Sequence, residues 1–431
     1  MHQPVMNIRH GRVMHCSRPP LPPSDNAIVG SNREAALSPR VLVFLHGPGP
    51  GGVERIALRL INGWRRDGMD VRLLLGNPEG SMQHEMPPGD VTQYLPSWPL
   101  IGRRLASLRL LVATARAIDA YRPDILFCAG NVYAIVAVLL KLRLGRRCPL
   151  ILAKISNDLM RSDMPWIMRP FYRLWLRMQG RAIDHFAALS DPMAQEVAAR
   201  MGVDHARVHV VPNPVLALAD LDGVTPLPSS PLPRRGRHFV AVGRLERQKN
   251  YSLMLRAFAA GSGPDDRLTI FGQGRARDGL ERLAARLGIA GKLCFAGFSA
   301  DVRRQLPDHD VLLLSSRYEG QPGVVVEALA CGLPIIATRC CASMAPLLDD
   351  GALGTLVDGE DEAAFANAIR AAHSDMQDRP RARAKAASFT IERAVPAYRA
   401  LFRHVLTQSP RQRHAALATL HSQSPLEAQL S

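Results

Sequence analysis

Two carboxylates eight residues apart, Glu319 and Glu327, bracket the turn Gly320-Gln321-Pro322-Gly323 and the apolar run Val324-Val325-Val326. The apolar segment Val311 to Leu314 ahead of them reads as a strand, and Ala328-Leu329-Ala330-Cys331 after them continues a helix. A strand that runs into a loop and then a helix sets the helix N-terminus and its first-turn Glu327 on one crevice. Free backbone N–H groups and the positive dipole end suit a phosphate there. An acceptor-only carboxylate, Glu327, suits the vicinal hydroxyls of a ribose. Main-chain N–H groups around Gly320, Gly323 and Val324 add donors for phosphate or sugar, whereas Pro322 has none to give. A nucleotide-sugar is the ligand that such chemistry fits.

A second constellation is Val240-Ala241-Val242-Gly243-Arg244-Leu245-Glu246-Arg247-Gln248-Lys249-Asn250, a strand that opens into a basic loop. When a nucleotide-sugar loses its sugar, negative charge grows on the terminal phosphate, and fixed cations at that spot lower the barrier. Arg244 offers a rigid fork and Lys249 a mobile point charge. A third is His46-Gly47-Pro48-Gly49-Pro50-Gly51-Gly52-Val53-Glu54-Arg55, after a strand and ahead of an amphipathic helix with Ile56, Ala57, Leu60, Ile61 and Trp64 on its buried side. As a dinucleotide fingerprint it is weak, because Pro48 and Pro50 remove two backbone donors. A tight packing turn would use the same glycines.

The Glu319-to-Glu327 segment resembles the Glu-x7-Glu signature of retaining GT-B glycosyltransferases, in particular glycosyltransferase family 4. Val240 to Asn250 resembles that family's strand, basic loop and helix start. Ile270-Phe271-Gly272-Gln273-Gly274 with Leu280-Glu281, Phe295-Ala296-Gly297-Phe298 and Ser315-Ser316-Arg317-Tyr318 follow in the family's order. The resemblance spans roughly residues 40 to 405 and is strongest in the C-terminal half.

It implies two Rossmann-like domains facing across a cleft, with Arg244, Lys249 and Glu319 catalytic, Glu319 on the transferred sugar and Glu327 on the ribose. Gly243, Gly320, Gly323 and Val324 would hold the donor. Gly51-Gly52-Val53-Glu54-Arg55 resembles the family's Gly-Gly-x-Glu-Arg loop, with Gly52 near the donor phosphates and Glu54 toward the acceptor. Gln321 stands where relatives often carry a bulky apolar residue, and either tunes the sugar or faces solvent.

Retention through a front-face reaction needs no dedicated protein base. This matters because the histidine many relatives carry after the strand that here reads Ile125-Leu126-Phe127-Cys128 is missing; Ala129-Gly130-Asn131 follows instead. Asn131, Tyr133, Asn157 and Asp158 are the polar acceptor-side candidates. Asp-x-Asp occurs as Asp220-Leu221-Asp222 in the interdomain linker and as Asp308-His309-Asp310 ahead of a strand, away from the cleft. With Arg244 and Lys249 in place of a divalent ion, transfer is expected to need no metal or other cofactor. The resulting expectation is a retaining hexosyltransferase moving a sugar from a nucleotide-diphosphate-sugar, UDP slightly ahead of GDP, to a glycan or lipid-linked acceptor in surface polysaccharide or glycolipid synthesis. A UDP-sugar 2-epimerase of the same fold and a non-catalytic nucleotide-sugar-binding subunit are the alternatives.

The elements that must position these residues read as α/β. A chain of 431 residues at 47% hydrophobic exceeds one core and favours two domains. Short apolar runs at 41–45, 71–75, 125–128, 150–153, 186–189 and 208–211 form one strand series, and runs at 239–242, 268–271, 293–295, 311–314 and 335–337 a second. Two doubly wound halves would bind ligand at the carboxyl ends of their strands. Residues 1–39 read as a disordered extension, 40–215 as the acceptor domain, 216–237 as a linker without periodicity and 238–388 as the donor domain. Residues 389–408 read as a helix, which the family resemblance implies crosses back to the N-terminal domain, and 409–431 as a flexible tail.

The net charge of +16 asks for an anionic partner. Arg169, Arg173, Arg177 and Arg181 recur every four residues with Trp166, Phe171, Tyr172 and Trp175 among them, a pattern suited to an interfacial helix on anionic lipid. Arg103, Arg104, Arg109 and Arg116 form a second basic segment. A solvated helix face is the plain alternative. Nucleic acid is not expected, since no recognition module or stacking platform occurs. No apolar stretch reaches the ~20 residues of a spanning helix. Seven cysteines, Cys340 and Cys341 adjacent among them, fit a reducing compartment better than a disulfide framework. A cytoplasmic protein, peripheral on the membrane, is expected.

Overall fold

The computed structural model describes residues 39–49, 51–77, 79–80, 82–89, 91–95, 106–160, 164–222, 235–299, 301–373 and 378–408. The expectations for residues 1–38, Arg103 and Arg104, most of the linker (223–234) and the tail (409–431) lie outside them. From Pro39 onward the described residues belong to one compact unit.

The N-terminal half alternates β1 (Val41–Leu45), α1 (Gly52–Arg66), β2 (Val71–Leu75), β3 (Thr92–Tyr94), α2 (Ala106–Tyr121), β4 (Ile125–Cys128), α3 (Ala134–Leu144), β5 (Leu150–Lys154), α4 (Arg169–Ala182), β6 (His185–Ala188), α5 (Asp191–Met201) and β7 (Val208–Val210). A short α6 (Leu218–Asp222) leads into the second half. That half comprises β8 (His238–Val242), α7 (Tyr251–Gly261), β9 (Arg267–Phe271), α8 (Arg277–Arg286), β10 (Leu293–Gly297), β11 (Val311–Leu314), α9 (Gly323–Cys331), β12 (Ile335–Thr338), α10 (Met344–Leu347), β13 (Thr355–Val357), α11 (Glu362–Ala371), α12 (Arg379–Ala386) and α13 (Ile391–Gln408).

The strands form two parallel sheets, ordered β3-β2-β1-β4-β5-β6-β7 and β10-β9-β8-β11-β12-β13. Strands buried on both faces need near-continuous apolar sequence, and β1, β4 and β11 are buried at every position. Strand order reverses between β1 and β4 in one sheet and between β8 and β11 in the other. The loops that leave these four strands carry Gly51-Gly52, Asn131, Gly243-Arg244 and Glu319, so both switch points face one cleft.

Three details differ from the sequence reading. The edge strands β3 and β13, three residues each, carry no apolar run that would mark them. The linker holds the α6 turn of helix. Strand β5 runs one residue further than its apolar segment, into the buried Lys154.

The chain crosses between the halves twice, side by side. Val215 N–H and Leu216 N–H donate to the Phe389 carbonyl at 2.9 and 3.1 Å, and Ile391 N–H donates to the Leu216 carbonyl at 2.8 Å. After that crossing α13 joins the N-terminal core. Tyr398 and Phe402 meet Trp64 edge to face at 5.3 and 5.1 Å between ring centres, with Phe127 against Tyr398 at 5.6 Å. The contact is close because Gly63 of α1 has no side chain; a Cβ there would lie 2.5 Å from Val395.

Candidate active site

The cleft between the halves has a volume of about 1010 Å³. On its C-terminal wall, Lys249 Nζ contacts Glu319 Oε1 at 2.7 Å, and Ser316 Oγ donates to the same oxygen at 2.8 Å. Both partners are largely shielded, with 17% of the Lys249 and 12% of the Glu319 side chain exposed. The lysine stem lies on Gly243, where φ is +151° and a Cβ would stand 2.7 Å from Lys249 Cε. Glycine is required there for the stem and for the backbone. Arg244, the next residue, is exposed and lines the cleft, and its side chain has no hydrogen bond or ion pair among the described residues.

The N-terminus of α9 opens on the same wall. Gly323, Val324 and Glu327 all line the cleft. Burial pushes the Glu327 carboxyl above its ordinary pKa, a rise that the nearby Arg55, Arg59 and Arg303 offset only in part.

The opposite wall comes from the N-terminal sheet. A Cβ built on Gly52 would meet open space, as an approach site for a ligand requires. Glu54, in the first turn of α1, accepts a hydrogen bond from Tyr133 Oη at 3.0 Å. Tyr133 is fully buried, stacks on His46 at 5.1 Å and accepts from His46 N–H at 3.3 Å. Burial and the Glu54 charge push the Tyr133 hydroxyl pKa up, so it stays a neutral donor, and burial lowers that of His46.

The two walls touch at Gly320 and residues 156–158. Asp158 N–H donates to the Glu319 carbonyl at 2.9 Å. A Cβ on Gly320 would lie 2.0 Å from the Ser156 carbonyl oxygen.

Two family models match the chain: "Glycosyltransferase Family 4" over residues 50–216 and "Glycosyl transferases group 1" over residues 228–389. The boundary between them falls where the chain passes from one half to the other. The lipopolysaccharide core biosynthesis glycosyltransferase LpsE of Rhizobium meliloti is 35% identical over 144 residues, 33% of this chain and 41% of the relative. A GDP-mannose-dependent α-(1-6)-phosphatidylinositol monomannoside mannosyltransferase of Mycolicibacterium smegmatis is 30% identical over 228 residues, 48% of this chain and 57% of the relative. The chain thus aligns with about half of each relative's length. Among solved structures, Anabaena HepE in complex with UDP and glucose superposes with a TM-score of 0.64 at 18% identity, covering 84% of this chain and 98% of that one.

This chain belongs to glycosyltransferase family 4. Its fold is GT-B.

Within that family frame, Arg244, Lys249, Glu319, Gly52, Gly243, Gly320, Gly323, Val324, Glu327, Glu54 and Asn157 all line the cleft. Asn131 and Asp158 do not. Asn131 stands behind the wall, its Oδ1 accepting Ser156 N–H at 2.8 Å and Ser156 Oγ–H at 3.2 Å. Asp158 turns toward Glu196, whose carboxyl is pushed up by burial and by that neighbour.

Gln321 is not the solvent-facing residue its polarity allows. It is buried, its Oε1 accepts Asn213 N–H at 3.3 Å, and its Nε2 has no partner. Asp220 is in the cleft lining, on α6, rather than in a passive linker, and is tied to Arg303 at 2.6 Å. Asp310 is away from the cleft, accepting His238 N–H at 2.7 Å.

The sequence reading gives no site role to Phe298 or Lys154, both of which line the cleft. Phe298 ends the Phe295-Ala296-Gly297-Phe298 motif and is 50% exposed at the cleft. Lys154 ends β5 in the cleft lining, 2% exposed, and desolvation lowers its pKa to about 7. The only signal for it in the sequence is a lysine directly following a strand-like run.

Proposed function

We propose that the protein is a retaining glycosyltransferase that moves a hexose from a nucleotide-diphosphate-sugar to a glycan or lipid-linked acceptor in lipopolysaccharide, surface polysaccharide or glycolipid synthesis. The observation that carries this is the convergence of Arg244, the Lys249–Glu319 pair and Glu327 on one cleft, facing the Gly52 end of α1. The diphosphate would take Arg244, Lys249 and the α9 amides, the ribose Glu327, and the sugar Glu319 and the Gly320 backbone. Charge that grows on the leaving phosphate meets cations already in place. We expect no divalent ion to be needed. A UDP-sugar is the first donor to test and a GDP-sugar the second: the superposing structure holds UDP and glucose, and one relative is named for GDP-mannose.

The test is release of UDP or GDP from UDP-glucose, UDP-galactose and GDP-mannose in EDTA, with and without a lipopolysaccharide-core oligosaccharide. Acceptor-stimulated release with one donor supports the reading. Release with none of them, with metal restored, counts against it.

Peripheral attachment to the cytoplasmic membrane belongs to the same proposal. No described helix is long and apolar enough to cross a membrane. Yet α2, α3 and α4 pack side by side and leave Leu108, Ile135, Leu139, Leu142, Phe171 and Leu174 exposed. Trp166, Ile167 and Met168 extend this apolar face at the start of α4 and are 78%, 59% and 49% exposed. Arg169, Arg173, Arg177 and Arg181 are exposed on the same helix. Tyr172 and Trp175, counted above with the interfacial aromatics, instead turn inward onto the core. The face begins at Val132, 58% exposed, which also lines the cleft. A lipid-linked acceptor could therefore reach the site from the bilayer that holds the protein.

A further inference from the structure

Lysine is rare in this chain, which has five, and four of them are held by a partner. Lys141 contacts Asp184 at 2.8 Å, Lys249 contacts Glu319 at 2.7 Å, Lys292 donates to the Gly263 carbonyl at 2.7 Å and Lys385 contacts Asp349 at 2.7 Å. The Lys154 side chain has no hydrogen bond or ion pair among the described residues. It is nevertheless 2% exposed, and it lines the cleft.

Burying an ammonium without a counter-charge is costly. The amine escapes part of that cost by shedding its proton near neutral pH, with burial as the only cause of its lowered pKa. An arginine could not do this. An apolar side chain would fill the same volume at lower cost, so folding alone does not account for a lysine at the end of β5.

Its surroundings indicate what it serves. Asn157, three residues on, lines the same wall, and its side-chain amide has no partner among the described residues. The donor's diphosphate already has cations on the other wall, Arg244 and Lys249. Val132, at the start of the exposed apolar face, lines the cleft as well, so an acceptor with an apolar chain outside and a charged head inside could enter past it.

We propose that Lys154, together with the Asn157 amide in the same cleft lining, forms an oxyanion subsite in the acceptor half of the cleft, which selects acceptors carrying a phosphate or carboxylate near the hydroxyl to be glycosylated. The inference rests on the glycosyl-transfer reading and specifies its acceptor class. An arriving oxyanion supplies the missing counter-charge and draws a proton onto the amine.

With only five lysines, protein labelled with carbon-13 at lysine Cε gives a readable spectrum, and the Lys154 signal is the one lost in Lys154→Met. Its titration midpoint is followed in free protein, with UDP or GDP, and with inorganic phosphate added to each. Phosphate should raise the midpoint by about one unit or more, as an opposite charge within contact does, and the nucleotide alone should move it little. If the nucleotide alone produces the whole rise, Lys154 belongs to the donor site. If phosphate moves nothing in either state, there is no anion subsite. Should neither nucleotide bind, the glycosyl-transfer reading fails, while the phosphate arm on free protein still decides the fate of Lys154.

Melting temperature supplies a second readout. The folded pKa lies below the unfolded one, so folding is penalised fully below about pH 7 and the penalty fades toward pH 10. Lys154→Met should melt above wild type at pH 7 and below, and the gap should close as pH rises. A lysine placed only for structure would give a variant that melts lower throughout.

Discussion

Arg244 and Glu319 should fail in different ways, because one is exposed and unpaired and the other is half of a shielded ion pair. On the proposed reading, Arg244→Ala removes a donor-phosphate contact that strengthens as charge grows on the leaving phosphate. Turnover should fall roughly 10²–10³-fold, while the melting temperature stays near that of wild type. Glu319→Gln leaves Lys249 without its counter-charge, which costs more than removing a surface contact. Turnover and melting temperature should fall together. Kinetics and calorimetry on the two variants check this, and equal losses of stability would contradict it. Legibility at this scale tracks local sequence. Arg244, Lys249, Glu319 and Glu327 could be read because each sits in a short motif between a strand and a helix. Lys154 could not, because a charged residue after Leu150-Ile151-Leu152-Ala153 reads as the end of a strand, and only the fold reveals it as buried. Asp158 was read toward the cleft from chain proximity alone; its side chain turns to Glu196, a neighbour 38 positions away.

The sharpest constraint among the elements is where the β11–α9 loop meets the loop after β5. Gly320 touches the Ser156 carbonyl so closely that a methyl group would stand 2.0 Å from a backbone oxygen, which cannot rotate away. Gly320→Ala should therefore push the walls apart, break the hydrogen bond from Asp158 N–H to the Glu319 carbonyl, and lower kcat at least tenfold with little effect on overall stability. Steady-state kinetics and a melting curve test this, and an unchanged kcat would show that the contact is dispensable. The anchor of α13 makes a contrasting case. Trp64 is fully buried among Phe127, Tyr398 and Phe402, so Trp64→Ala should destabilise by about 3–5 kcal/mol, measurable by denaturant unfolding. Both sheets were visible in the sequence because central parallel strands such as VLVFL and VLLL are apolar at every position. The edge strands were not, since Thr92-Gln93-Tyr94 is too short and too polar to stand out, and its pairing with β2 is a tertiary fact.

The charge of +16 and the apolar face of α2, α3 and α4 act at the scale of the whole molecule. Binding to anionic vesicles should weaken as salt rises, because lipid–arginine attraction is screened. It should also weaken in Trp166→Ser with Phe171→Ser, each exposed ring contributing ~1.5–3 kcal/mol if fully buried. Vesicle cosedimentation checks both, and salt-insensitive binding or an unaffected double variant would leave the face merely solvated. The arginine stripe was legible from its spacing. The direction of its aromatics was not, because the four-residue period does not say which side of α4 meets the core, and Tyr172 and Trp175 lie on that side. The breadth of the patch also depends on three successive helices packing side by side, which is a tertiary fact.

The proposed placement of a nucleoside diphosphate in this cleft, with Glu327 on its ribose, is open to direct measurement. It is tested most directly by calorimetric titration of UDP and GDP, in EDTA, into wild type and Glu327→Ala. Saturable binding of one nucleotide to wild type is predicted, weakened about tenfold or more in the variant, as expected for the loss of hydrogen bonds to a charged group. No binding of either nucleotide, or equal affinity in both proteins, would rule that placement out.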